Sequence, residues 1–167
     1  MTSGDQYNHG TPAAKKGKPG KLEVTVMSFG YKEGPPPVAN LVFDVRFLKN
    51  PYWVEELRPL TGRDKPVQEY VLQQTLAGEF LNSVLHMVNT LLPKLEELNI
   101  CDFAIAFGCT GGQHRSATMV EALARQLTNL YPQYVIIKSH RELDADRDSQ
   151  TIFEPAAAQL QQAKAED

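Results

Sequence analysis

The chain has 167 residues, 42% hydrophobic and 22% charged, with 17 Lys and Arg against 20 Asp and Glu for a formal net charge of -3. That is one domain of common size with enough chain to bury a core, and its acidic balance argues against indiscriminate binding to nucleic acid, though a local basic surface is compatible with it. No apolar run reaches the ~20 residues of a membrane helix and MTSGDQYNHG has no apolar signal core, so no membrane partner and a cytoplasmic location are expected. Cys101 and Cys109 are the two cysteines. A strand between them would hold them roughly 25 Å apart, too far for a disulfide. Two cysteines and four scattered histidines make no metal-ligand spacing, so no metal and no cofactor are expected.

Residues 1–21 are polar and rich in Gly, Pro and Lys, with almost nothing to bury, and read as a flexible arm. Order is expected from Leu22, where Leu22, Val24 and Val26 alternate with Glu23 and Thr25 as in a half-buried strand. Gly34 and three prolines then impose a loop. NLVFDVRFL is almost continuously apolar and suits a central parallel strand buried on both faces. Asp44 and Arg46, two apart, share a side of it and make either an ion pair or a site.

The stretch from Lys49 to Pro66 is polar, punctuated by proline and long for a loop, which in compact domains often marks function. Asp64 and Pro66 look like a helix start, with a short helix to about Gln74. A longer helix is expected over Leu76 to Leu98. Its apolar residues Phe80, Val84, Met87, Val88, Leu91, Leu95 and Leu98 form a stripe assigned to the core, and Pro93 predicts a kink or break. A third strand covers Asp102 to Phe107, and the helix after it turns Val120, Leu123, Ala124, Leu127 and Leu130 inward. A last strand, QYVIIKSHR, ends near His140 and Arg141. Residues 144–167 read as an acidic tail with a short helix over 155–165. Strands separated by helices predict an α/β layered domain with a mainly parallel sheet, and ligands of such sheets sit beyond the carboxyl ends of the strands.

The join between third strand and following helix carries the densest chemistry. FAIAFGCTGGQHRS takes an apolar strand into a glycine turn and a helix start, where backbone N–H groups lack intrahelical acceptors and the helix dipole favours an anion. Gly108, Gly111 and Gly112 let the turn reach positive φ and let a ligand approach closely. Arg115 brings a planar fork that matches phosphate oxygens. Cys109 and Arg115 also stand at the Cys-x5-Arg spacing of cysteine-dependent phosphatases, so an enzyme with Cys109 as nucleophile, Arg115 as clamp and Asp44 as general acid is one reading. Plain anion binding is another. A buried cysteine is equally an inert small hydrophobe, and glycine turns are common punctuation.

Five segments in order, SFGYK (28–32), FDVRFLKNPYW (43–53), LRPLTGRDKPV (57–67), GCTGGQHRS (108–116) and SHREL (139–143), resemble the motifs of the RapZ C-terminal domain family of RNase adapter proteins. The resemblance spans about residues 22–143. It implies an α/β fold akin to a phosphofructokinase subdomain, sensing of glucosamine-6-phosphate and, in the bacterial proteins, binding of a small regulatory RNA presented to an endoribonuclease. Carried over by motif, the phosphate pocket would comprise Thr110, Gly111, Gly112, His114, Arg115 and Ser116. Sugar or RNA contacts would come from Asp44, Arg46, Tyr52, Arg58, Thr61, His140 and Arg141. The chain differs from the family at Tyr52, where the Asn-Pro-x-Trp motif carries a histidine, and in the acidic residues Glu142, Asp144, Asp146 and Asp148 around Arg141 and Arg147, which weaken the electrostatic case for RNA. It contains no G-x-x-x-x-G-K-[ST], so a domain standing alone, without the family's P-loop nucleotide site, is expected. The expectation overall is a non-catalytic module for a phosphorylated sugar metabolite, with RNA as a further partner and a homo-oligomeric state.

Overall fold

The structure, a computed structural model, describes residues 21–144 and the backbone of 151–153. The arm expected over 1–21, apart from Lys21, and the helix expected over 155–165 lie outside the described residues. The elements in chain order are β1 (Glu23–Gly30), β2 (Leu41–Asp44), α1 (Lys65–Leu72), α2 (Thr75–Glu97), β3 (Asp102–Cys109), α3 (Arg115–Leu130), β4 (Val135–His140) and β5 (Thr151–Phe153). Single 3-10 turns lie at Tyr31–Glu33 and Pro51–Trp53. The sheet order is β2-β3-β1-β4-β5, the first four strands parallel and β5 antiparallel on the edge of β4. An α/β layered domain is therefore what forms.

Register shows why one sheet face makes the core. Val24 aligns with Phe103 and Ile136, and Val26 with Ile105. These residues bury together with Val67 and Val71 of α1, Ala77, Leu81, Val84, Val88 and Leu92 of α2, and Met119, Leu123 and Leu127 of α3. Each Val, Leu, Ile, Phe or Met among them contributes about 1.5–3 kcal/mol when fully buried.

Four expectations need correction. β2 is an edge strand of four residues rather than a central one, and Val42 is 42% exposed. Its apolar run reflects Leu41 and Phe43 packing on the core while the chain past Asp44 leaves the sheet. The buried stripe of α2 follows Ala77, Leu81, Val84, Val88 and Leu92, whereas Met87 and Leu98 are exposed and Phe80, Leu91 and Leu95 only flank the core. A helix this rich in leucine offers two overlapping stripes, and contact with the sheet and α3 selects between them. Helix α2 also continues through Pro93 to Glu97 without a break. One lost hydrogen bond near a helix end is outweighed by Val84, Val88 and Leu92 in the core. On α3, Leu130 is exposed, at the end where the helix leaves the sheet.

Candidate functional site

Parallel strands place their carboxyl ends on one edge. Gly30 lies beside Cys109, Asp44 beside Gly108 and Ser28 beside His140. The chain leaves β3 at Cys109, turns through residues 110–114 and enters α3 at Arg115. Of the three glycines read as needing positive φ, Gly112 alone has it, at 73°.

Arg115 dominates the floor of this turn. Its residue is 5% exposed. Nη1 donates to the carbonyls of Arg46 at 2.9 Å and Leu48 at 3.1 Å, and Nη2 donates to Thr110 Oγ1 at 3.1 Å. Nε is buried without a hydrogen-bond partner, and among the described residues no carboxylate forms an ion pair with this guanidinium. Carbonyl dipoles orient the group, and the Asp44 carboxylate acts on it through space without closing an ion pair. His114 beside it is 7% exposed, and its Nε2 also lacks a partner. Burial lowers the His114 pKa, against the carbonyls of Leu57, Arg58 and Leu60, so the ring is neutral at pH 7.

Above these groups opens a cleft of about 620 Å³. Cys109, Thr110, Gly111, Gln113, His114 and Arg115 line it from the turn, Lys32 and Glu33 from one 3-10 turn, and Asn50, Tyr52 and Trp53 from the other. The aromatic wall is firmly presented. Pro51 is buried, Asn50 Oδ1 accepts from the Tyr52 N–H at 3.3 Å, and Arg58 lies 5.2 Å above the Tyr52 ring while its Nε donates to the Tyr52 carbonyl at 3.1 Å. Trp53 nevertheless stands 77% exposed.

The residues expected from sequence therefore divide. Thr110, Gly111, His114, Arg115 and Tyr52 line the cleft, whereas Gly112 and Ser116 do not. Ser116 is fully buried, 3.1 Å from the Cys109 thiol. Asp44 and Arg46 bind each other, with Arg46 Nε at 2.9 Å and Nη2 at 2.6 Å from the carboxylate. Those hydrogen bonds hold the Asp44 carboxyl below the usual range. Thr61 closes its own turn by donating to Asp64 Oδ2 at 2.9 Å, and the neighbouring Gly62 N–H donates to the Gln113 carbonyl at 2.8 Å, so this loop braces the floor. His140 is 1% exposed, its Nδ1 2.8 Å from Ser28 Oγ and its Nε2 3.0 Å from Glu121 Oε1. A carboxylate only accepts, so Nε2 carries a proton and the ring faces the core. Arg141 donates through Nη2 to the Gly30 carbonyl at 2.6 Å and through Nη1 to that of Pro35 at 2.7 Å.

Lys32, Glu33, Asn50, Trp53 and Gln113 line the cleft without having been singled out from sequence. Each lies inside or next to one of the quoted motifs, which was the available signal. Hydropathy and spacing say nothing of which loop residues face one another across a cleft.

Residues 22–144 match the RapZ C-terminal domain family. The chain belongs to that family. A nucleotide-binding protein of Shewanella sp. strain MR-7 is 45% identical over 124 residues, which is 74% of this chain and 43% of that relative. Nucleotide-binding proteins of Shewanella oneidensis (46% over 123 residues, 74% and 43%) and Shewanella loihica (44% over 126 residues, 75% and 44%) are similar to the same degree. The matched part spans less than half the length of these curated relatives. It holds the cleft and every residue lining it.

Proposed function

We propose that this domain binds a phosphorylated metabolite, an amino-sugar phosphate such as glucosamine-6-phosphate. The phosphate sits on the Thr110 to Ser116 turn and the sugar extends toward Tyr52 and Trp53. One observation carries the reading: a buried guanidinium at the base of an open cleft, with Nε unpartnered and, among the described residues, no carboxylate in an ion pair with it. A phosphate in the cleft brings a negative charge into direct contact with this guanidinium. Lys32 adds a second cation at the rim, and Glu33 and Asn50 offer partners for hydroxyl or amino groups. The name of the relatives supports the broader class, a nucleotide or metabolite carrying phosphate.

Calorimetry with glucosamine-6-phosphate, glucose-6-phosphate, adenosine monophosphate and unphosphorylated glucosamine tests this, with Trp53, the sole tryptophan, as a fluorescence reporter on the cleft wall. Binding that requires the phosphate and is tightest for the amino sugar is the expected result. Equal heats with and without phosphate, or none at all, would reject it.

The exposed Trp53 and Tyr52 beside Arg58 favour a second reading, single-stranded RNA stacked on that wall. It predicts an affinity that falls steeply with added salt and with Trp53→Ala. The phosphatase reading has less support. Asp44 is held ionised by Arg46 and has no proton to give a leaving group, and the Cys109 thiol faces a serine hydroxyl rather than a base.

A further inference from the structure

Glu142 stands directly behind the glycine turn. Its side chain is 10% exposed. Oε1 accepts from the Gly30 N–H at 2.9 Å and from Arg141 Nε at 2.7 Å, and Oε2 is buried with no hydrogen-bond partner. A Cβ added to Gly112 would lie 2.1 Å from that Oε2 and 2.8 Å from the Gly30 nitrogen, and one added to Gly30 would lie 2.6 Å from the Gly111 carbonyl carbon. The carboxylate, the end of β1 and the turn thus touch with no room for another atom.

Arg141 ties the same assembly to the cleft wall through the carbonyls of Gly30 and Pro35, on either side of the turn that carries Lys32 and Glu33. Glu142 also lines a small depression with Glu33, Gly111, Gln113 and Arg141, and three of those residues line the main cleft as well. A carboxylate next to an anion site opposes the anion by charge, so direct contact with the ligand is not its use. Its neutralising partner Arg141 and its backbone bond point to placement instead.

We propose that Glu142 is a positioning residue for the anion site. It holds Gly111 and Gly112 in the conformation that presents the turn to a phosphate. The proposal rests on the phosphate reading above, and its test separates the two. In 15N-labelled full chain titrated with inorganic phosphate, the Gly111, Gly112 and Gln113 amide signals shift saturably. Glu142→Ala moves the Gly111 and Gly112 signals before phosphate is added and weakens the phosphate response about tenfold or more, as expected when a brace of two hydrogen bonds is removed. Glu142→Gln keeps an oxygen for the Gly30 N–H and restores affinity to within about threefold of wild type. Wild-type affinity in Glu142→Ala, or a Gln variant as weak as Ala, overturns the proposal.

A ligand-free measurement covers the other cases. Gly112→Ala lowers the melting temperature more in the wild-type and Glu142→Gln backgrounds, where a tethered side chain of the same size faces the added methyl, than in Glu142→Ala, where that side chain is gone. Equal losses in all backgrounds overturn the brace. Should wild type show no phosphate shifts while this coupling persists, the phosphate reading falls and the turn-holding role of Glu142 stands.

Discussion

The Sγ of Cys109, at the end of β3, lies 3.1 Å from the Oγ of Ser116 in the first turn of α3, and both residues are buried. A hydroxyl is no base for the thiol proton, so under the binding reading proposed above Cys109 acts as a packed group with a polar contact. Cys109→Ser is expected to keep the fold and to bind the sugar phosphate within about threefold of wild type, since a hydroxyl replaces the thiol in the same contact. Neither protein should hydrolyse p-nitrophenyl phosphate. Turnover present in wild type and lost in the variant would restore the enzyme reading.

Arg115 is expected to serve both stability and binding. Arg115→Met leaves the carbonyls of Arg46 and Leu48 without their donor, for a loss of about 2–4 kcal/mol in urea unfolding. The same variant should lose ligand affinity by roughly a hundredfold or more, because a charge-assisted phosphate contact is removed. Arg115→Lys should recover only part of either, since an ammonium cannot reach two carbonyls and a phosphate in one plane. Full affinity in Arg115→Met would contradict the phosphate placement.

His140 gives the opposite pattern. Its contacts with Ser28 and Glu121 are internal, and it does not line the cleft. His140→Ala should destabilise by about 2–4 kcal/mol through a cavity and two unpaired polar partners. Ligand affinity of the folded protein should stay within about twofold in calorimetry. Unchanged stability with collapsed affinity would return His140 to the sugar site.

Acid should weaken the fold in two stages. Burial lowers the His114 pKa from its ordinary 6.5, so the unfolded chain takes up this proton first and stability falls as pH drops below about 6.5 toward the lower folded value. At lower pH the carboxylates add to this. Burial alone would raise the Asp144 carboxyl, but the His140 N–H and the Arg63 guanidinium outweigh it. Glu121 is likewise held below its usual range by His140 and Lys138 against burial. Their stabilisation is present above the unfolded carboxylate values and is lost as pH falls through the depressed ones. Thermal melts from pH 8 to 3 should show both stages, with His114→Gln removing the upper one. An unchanged upper stage in that variant would refute the assignment.

Much of this was legible in the chain because local pattern carries it. Alternation at Leu22 to Val26 marks β1, helical spacing marks α3, and FGCTGGQHRS marks a strand meeting a helix through glycines. Placement in the sheet was less legible. NLVFDVRFL reads as a central strand because most of its residues are apolar, yet nothing in that stretch says that one side of the strand has no neighbour among the described residues.

The α/β class, the family and the turn with its arginine were readable from the chain alone, since each depends on residue types at short fixed spacings. The partners of those polar residues came from the folded arrangement. It turned His140 inward to Ser28 and Glu121, closed Asp44 on Arg46 and Thr61 on Asp64, and brought Tyr52, Trp53 and Lys32 across from Arg115. The physical reason is that a buried polar group takes the nearest partner geometry allows, and which partners are near follows from strand order, not from distance along the chain.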